Sequence, residues 1–288
     1  MSGSDSAIGG SDHVLPQTLS GSDFVSLQSD LAPPMSGSVL ASQLVSLEEG
    51  KLPNLRRLIV PDPGQVLIDM DLERADLYAV AWDSGCLLLQ ERLRTEDVHT
   101  RHALDFLGGA AKHERDLMKK LAHAGNYLVG PRTASMGTGL PEATIKKFLS
   151  WWYSTYPEVK QWHGRVREAL FRNRMVTNAF GYRRPFFDRV ESCLPEAVAW
   201  LPQSTVAIVI NKALDNILTN LPSVQPLLQV HDSLTLQVPI NDLHKLIPLI
   251  REQSLIVVPY QPIPLIIPVS FKTSETSWGD VKEYKCES

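Results

Sequence analysis

Residues 227–238 read LLQVHDSLTLQV. Two apolar runs flank the polar triplet His231-Asp232-Ser233, the pattern of a β-hairpin whose tip carries a carboxylate. Far upstream, residues 66–70 form a second short, mostly apolar run behind the turn sequence Pro61-Asp62-Pro63-Gly64, and Asp71 ends it, as at the end of a buried strand. Between and after these lie helical patterns. Residues 74–82 place Ala75, Ala79 and Trp82 at helical spacing. Residues 95–111 predict a helix with Thr95 as N-cap. Residues 114–129 predict a helix of about four turns, with Arg115, Lys119 and His123 on one face. Residues 141–171 predict a helix carrying Trp151, Trp152, Tyr153 and Tyr156, read as core aromatics. Residues 202–221, closed by Pro222, and 242–253 predict two more. Further strands are expected at 175–180, running into Gly181, and at 264–271. Separated strands with helices between them, and one tight hairpin, predict an α+β fold on an antiparallel sheet.

The bulk numbers fit that class. The chain has 288 residues, 43% hydrophobic and 21% charged, enough to bury a sizeable core. No stretch approaches the roughly 18 uninterrupted apolar residues of a membrane span. The opening MSGSDSAIGG has neither the basic nor the apolar part of a secretory signal. Cys86, Cys193 and Cys286 are few and far apart, which predicts a reduced, cytoplasmic setting and no disulfide or metal framework. The expectation is therefore a cytoplasmic protein that is not secreted and meets no membrane. A net charge of -4 taken as a whole-chain mean argues against a nucleic-acid partner, but it is unevenly spread. Residues 1–50 hold six acids and no Lys or Arg, which leaves 28 basic and 26 acidic residues in 51–288, a net of +2. That first segment is Ser/Gly-rich and acidic and is expected to be flexible, with a short helix or strand at 39–47.

Three patches fit one chemistry. Asp71 and Asp232 are carboxylates at strand ends; brought together, they can hold hard divalent cations through oxygen. Two such ions stabilise the attacking and leaving oxygens of an in-line phosphoryl displacement. The third patch, Arg115, Lys119, His123 and Tyr127, is a helix face whose cations can neutralise a triphosphate and whose ring can stack a base. A basic run, Lys160, Arg165, Arg167, Arg172, Arg174, Arg183 and Arg184, contains one acid, Glu168, and suits phosphate contacts.

The motifs resemble the polymerase core of the A-family DNA polymerases, the bacterial polymerase I type, in a phage-like version. LIDMDLERADLYAVAW at 67–82 resembles motif A, a strand ending in Asp followed by x-x-x-x-Glu, with Asp71 at the catalytic position and Asp76 at the glutamate; Asp69 is the competing register. RDLMKKLAHAGNYLVG at 115–130 resembles motif B, Arg-x3-Lys-x7-Tyr-Gly, with Leu128 where Gly is usual. QVHDSL at 229–234 resembles motif C, Val-His-Asp-Glu, with Ser233 for Glu. PQSTVAIVINKAL, NAFGYRRPF, LPNLRRLIVPDPG and SWGDVK are similar to further family segments, in the family's order. Thr-Gly-Arg before Pro53 is missing, and Ala199 and Pro195 stand where Asn and Arg are usual.

The resemblance implies a right-hand palm with an antiparallel sheet and helical fingers, with thumb and exonuclease absent. The division expected is palm at 51–112 (motif A), fingers at 113–155 (motif B) and palm again at 156–288 (motif C). It implies two Mg²⁺ held by Asp71, Asp232 and the Leu72 carbonyl. Arg115 and Lys119 would bind the triphosphate, Lys119 also protonating the leaving pyrophosphate. His123 and Tyr127 would shape the nucleoside pocket, and Asp76 would gate the ribose 2′-OH. Gln203, His231, Arg183 and Arg184 would contact primer–template DNA. The implied activity is dNTP addition to a primer 3′-OH, with dNTPs and DNA as partners and a separate chain as a source of thumb or exonuclease. The alternatives are a single-subunit RNA polymerase or primase-like enzyme, which Ser233 favours, and a non-catalytic or split-polymerase DNA-binding subunit.

Overall fold

The computed structural model describes residues 54–284. The expectations for residues 1–50, and Cys286, lie outside them. The central element is β1 (Gln65–Leu72), whose residues from Val66 to Met70 are all buried. It pairs on both edges and is buried on both faces, and the burial on both faces explains why its sequence is nearly continuous apolar rather than alternating. Then come α1 (Ala75–Ser84), α2 (Leu87–Thr95), α3 (Val98–Leu107), α4 (Lys112–Asn126), α5 (Pro131–Thr138), α6 (Glu142–Thr155) and α7 (Pro157–Asn173). A small ribbon, β2 (Met175–Thr177) with β3 (Arg183–Pro185), leads into the long α8 (Val190–Asn220). The predicted hairpin is β4 (Gln225–Val230) and β5 (Ser233–Pro239). The chain closes with α9 (Leu243–Ser254), the β6 (Val257–Val258) and β7 (Leu265–Ile266) ribbon, β8 (Val269–Ser274) and β9 (Lys282–Glu283). The main sheet has the order β4-β5-β1-β8-β9 and every pairing in it is antiparallel. The α+β expectation holds.

Four local expectations change, each for a reason visible in the chain. The helix read as 95–111 is α3 alone, Val98–Leu107, and Thr95 is the last residue of α2. Asp97 is the N-cap of α3, its carboxylate accepting from the amides of His99 and Thr100, while the Thr95 hydroxyl turns back to the Glu91 carbonyl and closes α2. The helix read as 141–171 breaks at Pro157, which starts α7. The helix read from Pro202 begins at Val190, with Pro195 and Pro202 inside it. Packing of its apolar face overrides the two amide hydrogen bonds lost. α8 is long and apolar enough to cross a bilayer by composition, but 56% of its most apolar window is buried in the protein. The strand read as 264–271 is split into β7 and β8 by Pro268, which supplies only a carbonyl, accepting from the Glu73 amide at 2.8 Å.

The aromatic run falls where a core reading puts it. Trp152, Tyr156 and Phe148 are fully buried and stack among themselves and on His102. Gly125 lets α4 approach this cluster, because a Cβ there would lie 2.7 Å from Trp152 Cδ1.

Candidate active site

The strand end and the hairpin tip converge. Asp71 pairs with Ser233 across β1 and β5, and the Leu72 amide donates to the Asp232 carbonyl at 3.0 Å. The loop between β4 and β5 is just His231 and Asp232, and His231 has φ 55°. Tight two-residue turns need a positive φ at their first position. A side-chain-bearing residue adopts it at a cost of about 1–2 kcal/mol, which the flanking ladder must offset. Asp69, on the same strand face as Asp71, is already engaged. Its Oδ1 accepts from Trp278 Nε1 at 3.1 Å and Thr235 Oγ1 at 3.5 Å. Asp71 is therefore the carboxylate that faces open space, in the register chosen from the motif.

That space is a cleft of about 360 Å³ lined by Asp71, Leu72, Asp76, Lys119, His123, Tyr127 and Asp232, together with Arg74, His99 and Asn126. Burial lifts the Asp71 carboxyl to about 6; the Asp232 charge and, less strongly, Asp69 push the same way, against Lys272 and Lys119. Two carboxylates that repel each other at the rim of a cleft call for a cation between them. Among the described residues no three His, Cys, Asp or Glu side chains form a metal cluster. The donor set, two carboxylates and backbone oxygen, suits a hard divalent ion that keeps water or substrate oxygens as its remaining ligands.

The opposite wall is the end of α4. Its last carbonyls have no helical partner and are taken by side chains from other helices: Gly125 O accepts from the Tyr153 hydroxyl at 2.9 Å, and Asn126 O from His163 Nε2 at 2.8 Å. These contacts hold the turn that presents Tyr127. The His123 and Tyr127 rings meet edge to face, 4.5 Å between centroids. Tyr127 is buried, and its hydroxyl lies close enough to Asp76 to favour the carboxylate form, yet has no partner at hydrogen-bonding geometry. Burial dominates and raises the Asp76 carboxyl, while His123 and His231 pull it down.

The model for DNA polymerase family A matches residues 39–280. This chain belongs to that family. It is 28% identical over 243 residues to "DNA polymerase I, thermostable" of Thermus thermophilus, covering 80% of this chain and 29% of that protein. It is 25% identical over 259 residues to "DNA polymerase I" of Geobacillus stearothermophilus, covering 83% and 28%. The chain thus spans under a third of the length of these relatives. The fold is similar to the POL domain of Pol1 from M. smegmatis, solved in complex with DNA primer-template and dNTP, with TM-score 0.68 and 19% identity over 76% of this chain and 41% of that one.

Within this family A core, seven of the residues singled out from the motifs line one cleft and five do not. Arg115 is drawn away: its Nε donates to Asp97 Oδ2 at 2.6 Å. Gln203 is exposed on α8 and His231 is exposed at the hairpin tip. Arg183 is exposed on β3, and Arg184 is ion-paired with Glu196 over the Phe186 ring. Other members of the basic run serve structure. Arg165 donates to the Asp83 and Ser84 carbonyls, Arg174 to the Asp188 carbonyl, and Arg172 pairs with Glu168.

The sequence reading missed His99. It is 5% exposed and its Nδ1 has no partner. Burial, with Arg115, Lys119 and Arg74 nearby and Asp97 opposing, holds its pKa down at about 4, so it is neutral at pH 7. The signal was available: choosing Asp97 rather than Thr95 as the cap puts His99 in the first turn of α3.

Proposed function

We propose that this chain catalyses template-directed addition of dNTPs to a primer 3′-OH. The observation that carries the reading is the meeting of Asp71 and Asp232 at one strand end, across a cleft from Lys119, His123 and Tyr127. Two Mg²⁺ at Asp71, Asp232 and the Leu72 carbonyl would activate the 3′-OH and neutralise charge on the leaving pyrophosphate. Lys119 holds the triphosphate in the cleft and donates a proton to the leaving group. Neutral His99, donating through a ring N–H, is a second phosphate contact. Arg115 joins them by exchanging Asp97 for phosphate, a swap between anionic partners on an exposed side chain. Tyr127 and His123 bound the nucleoside, and Asp76 stands where a ribose 2′-OH would fall. Gln203, His231, Arg183 and Arg184 contact primer–template DNA outside the cleft, with thumb or exonuclease supplied by a separate chain.

The test is extension of a primed template by the purified chain with Mg²⁺, with dNTPs and rNTPs in parallel. Extension with dNTPs supports the reading. Ser233, which resembles the His-Asp-Ser form of motif C in single-subunit RNA polymerases, favours that alternative, Asp76 argues against it because those enzymes keep the gate small, and equal or better use of rNTPs would establish it. Soluble, folded protein that extends neither would leave the non-catalytic or split-subunit reading.

A further inference from the structure

Two histidines one turn apart on α3 each bury an Nδ1 atom that has no hydrogen-bond partner among the described residues: His99, which lines the cleft, and His102, fully buried behind it. Their rings meet edge to face, 6.2 Å between centroids. The other nitrogen of His102 is fixed. Its Nε2 lies 2.6 Å from the hydroxyl of Tyr156, at the joint between α6 and α7. That hydroxyl is also held from α2, by Arg92 Nη1 at 2.8 Å, and Arg92 is anchored in turn on the Asp105 carboxylate at 2.9 Å. Trp152 packs edge-on against the His102 ring, 5.1 Å between centroids, and keeps it in place.

The donors set the direction of this chain. A guanidinium can only donate, so the Tyr156 oxygen accepts from Arg92. Its own buried proton is then satisfied by His102 Nε2, the one other polar atom it meets. His102 is neutral, because burial, with His99 and Arg92 nearby, holds its pKa down at about 3. A neutral ring that accepts at Nε2 carries its proton on Nδ1. The unpartnered Nδ1 of His102 is therefore a donor. An N–H at the buried Nδ1 of the adjoining His99 ring would leave two buried donors unsatisfied, whereas a lone pair there complements the donor beside it. With its lone pair at Nδ1, neutral His99 carries its proton on Nε2, the nitrogen left to the cleft.

We propose that Tyr156 is a positioning residue of the triphosphate site: by donating to His102 it sets which nitrogen of His102, and through the ring contact which nitrogen of His99, bears the proton, so that His99 presents an N–H donor to the cleft. This rests on the reading of the cleft as a nucleotide site. The opposite tautomer would turn a lone pair toward phosphate oxygens, which repel it. Tyr156 is fully buried and touches neither substrate nor metal; it acts through two rings.

The experiment reads both tautomers directly, by long-range proton–nitrogen correlation on protein labelled with nitrogen-15 histidine, each ring assigned by the signal lost in His99→Ala or His102→Gln. Wild type at neutral pH should show His102 protonated on Nδ1 and His99 on Nε2. Either one reversed overturns the proposal. Tyr156→Phe keeps the ring and removes the donor, so both rings should become tautomer mixtures. The same variant should raise the dNTP KM, and weaken dNTP binding in equilibrium dialysis, by about five-fold, with kcat changed less than about two-fold. In the His99→Ala background Tyr156→Phe should add less than about two-fold, because the group it acts through is gone. Unchanged tautomers or unchanged affinity in folded Tyr156→Phe, or effects that multiply fully in the double variant, would overturn the proposal. If Tyr156→Phe does not fold, the wild-type spectrum decides. If wild type extends no primer, the polymerase reading fails, while dialysis of inorganic tripolyphosphate against wild type and His99→Ala still tests the donor; equal affinities would then sink this proposal separately.

Discussion

The end of β1 and the exposed face of α4 bound the same cleft but hold their groups by different means. At the strand end the backbone does the placing. Asp71 is fixed by ladders to β5 and β8, and Asp232 by a two-residue loop that forces His231 to φ 55°. Neither carboxylate depends on a side-chain partner for its position. On α4 the backbone supplies only a face. Arg115 is paired with Asp97, Lys119 and His123 are exposed, and Tyr127 is held by packing and by the capped turn beneath it. The difference suits the proposed chemistry, in which metal ligands must not move whereas groups that receive a triphosphate and later release it must exchange partners.

The comparison can be broken most directly at the strand end. Asp232→Ala should lower primer extension by at least about 10³-fold with the circular dichroism spectrum unchanged, since it removes a proposed metal ligand from a loop fixed by backbone. Activity within ten-fold of wild type would end the assignment. On the helix face, Lys119→Ala should cost about 10²-fold in kcat, the scale of losing one donor to developing charge. Arg115→Ala should raise the dNTP KM by about ten-fold yet change stability by under about 1 kcal/mol, because its pair with Asp97 is exposed. A large stability loss with unchanged KM would show that the ion pair is its real task.

The strand end also has a pH signature. In the metal-free protein Asp71 takes up a proton near pH 6, so divalent-metal affinity should fall as pH drops below about 6, by up to about ten-fold per unit, and binding should release protons. The linked stability change has the opposite sense to that of a salt-bridged aspartate. With its folded pKa raised, Asp71 lowers metal-free stability as pH rises from about 4 to 6, and excess Mg²⁺ should remove that slope. Calorimetry with and without Mg²⁺ would check both. The smallest expected effect is at Leu128, which follows the capped turn with φ 57°. Leu128→Gly should gain about 0.5–1 kcal/mol by denaturant titration, by relieving a left-handed leucine.

The same contrast explains what the sequence made legible. The hairpin, β1 and both aspartates could be read because strand ends and tight turns are local: apolar runs, a turn signal and a carboxylate at a fixed place. Arg115, Lys119, His123 and Tyr127 could be read as one stripe because helical spacing is local too. Where each points was not readable, since it depends on residues distant in the chain. Asp97 claims Arg115, and Trp278 claims Asp69, over 200 positions away. The four prolines differ for a related reason. Pro157 and Pro268 do break their elements, whereas Pro195 and Pro202 do not, because α8 lies against α1, α7 and α9 and its packing outweighs the missing amides. His99 was hidden by a cap assigned two residues early.

Trp278 donates to Asp69, its amide bonds Ile59 O at 2.8 Å, and Arg56 lies over its ring at 4.3 Å. The indole therefore touches the carboxylate two residues from Asp71, the proposed metal ligand, while remaining almost shielded from solvent. It is a built-in optical probe: its emission should respond when charge at Asp71 is neutralised. Trimming the chain before residue 278 would free Asp69 to compete with Asp71, so a lesion at the tail would register as a fault in metal binding.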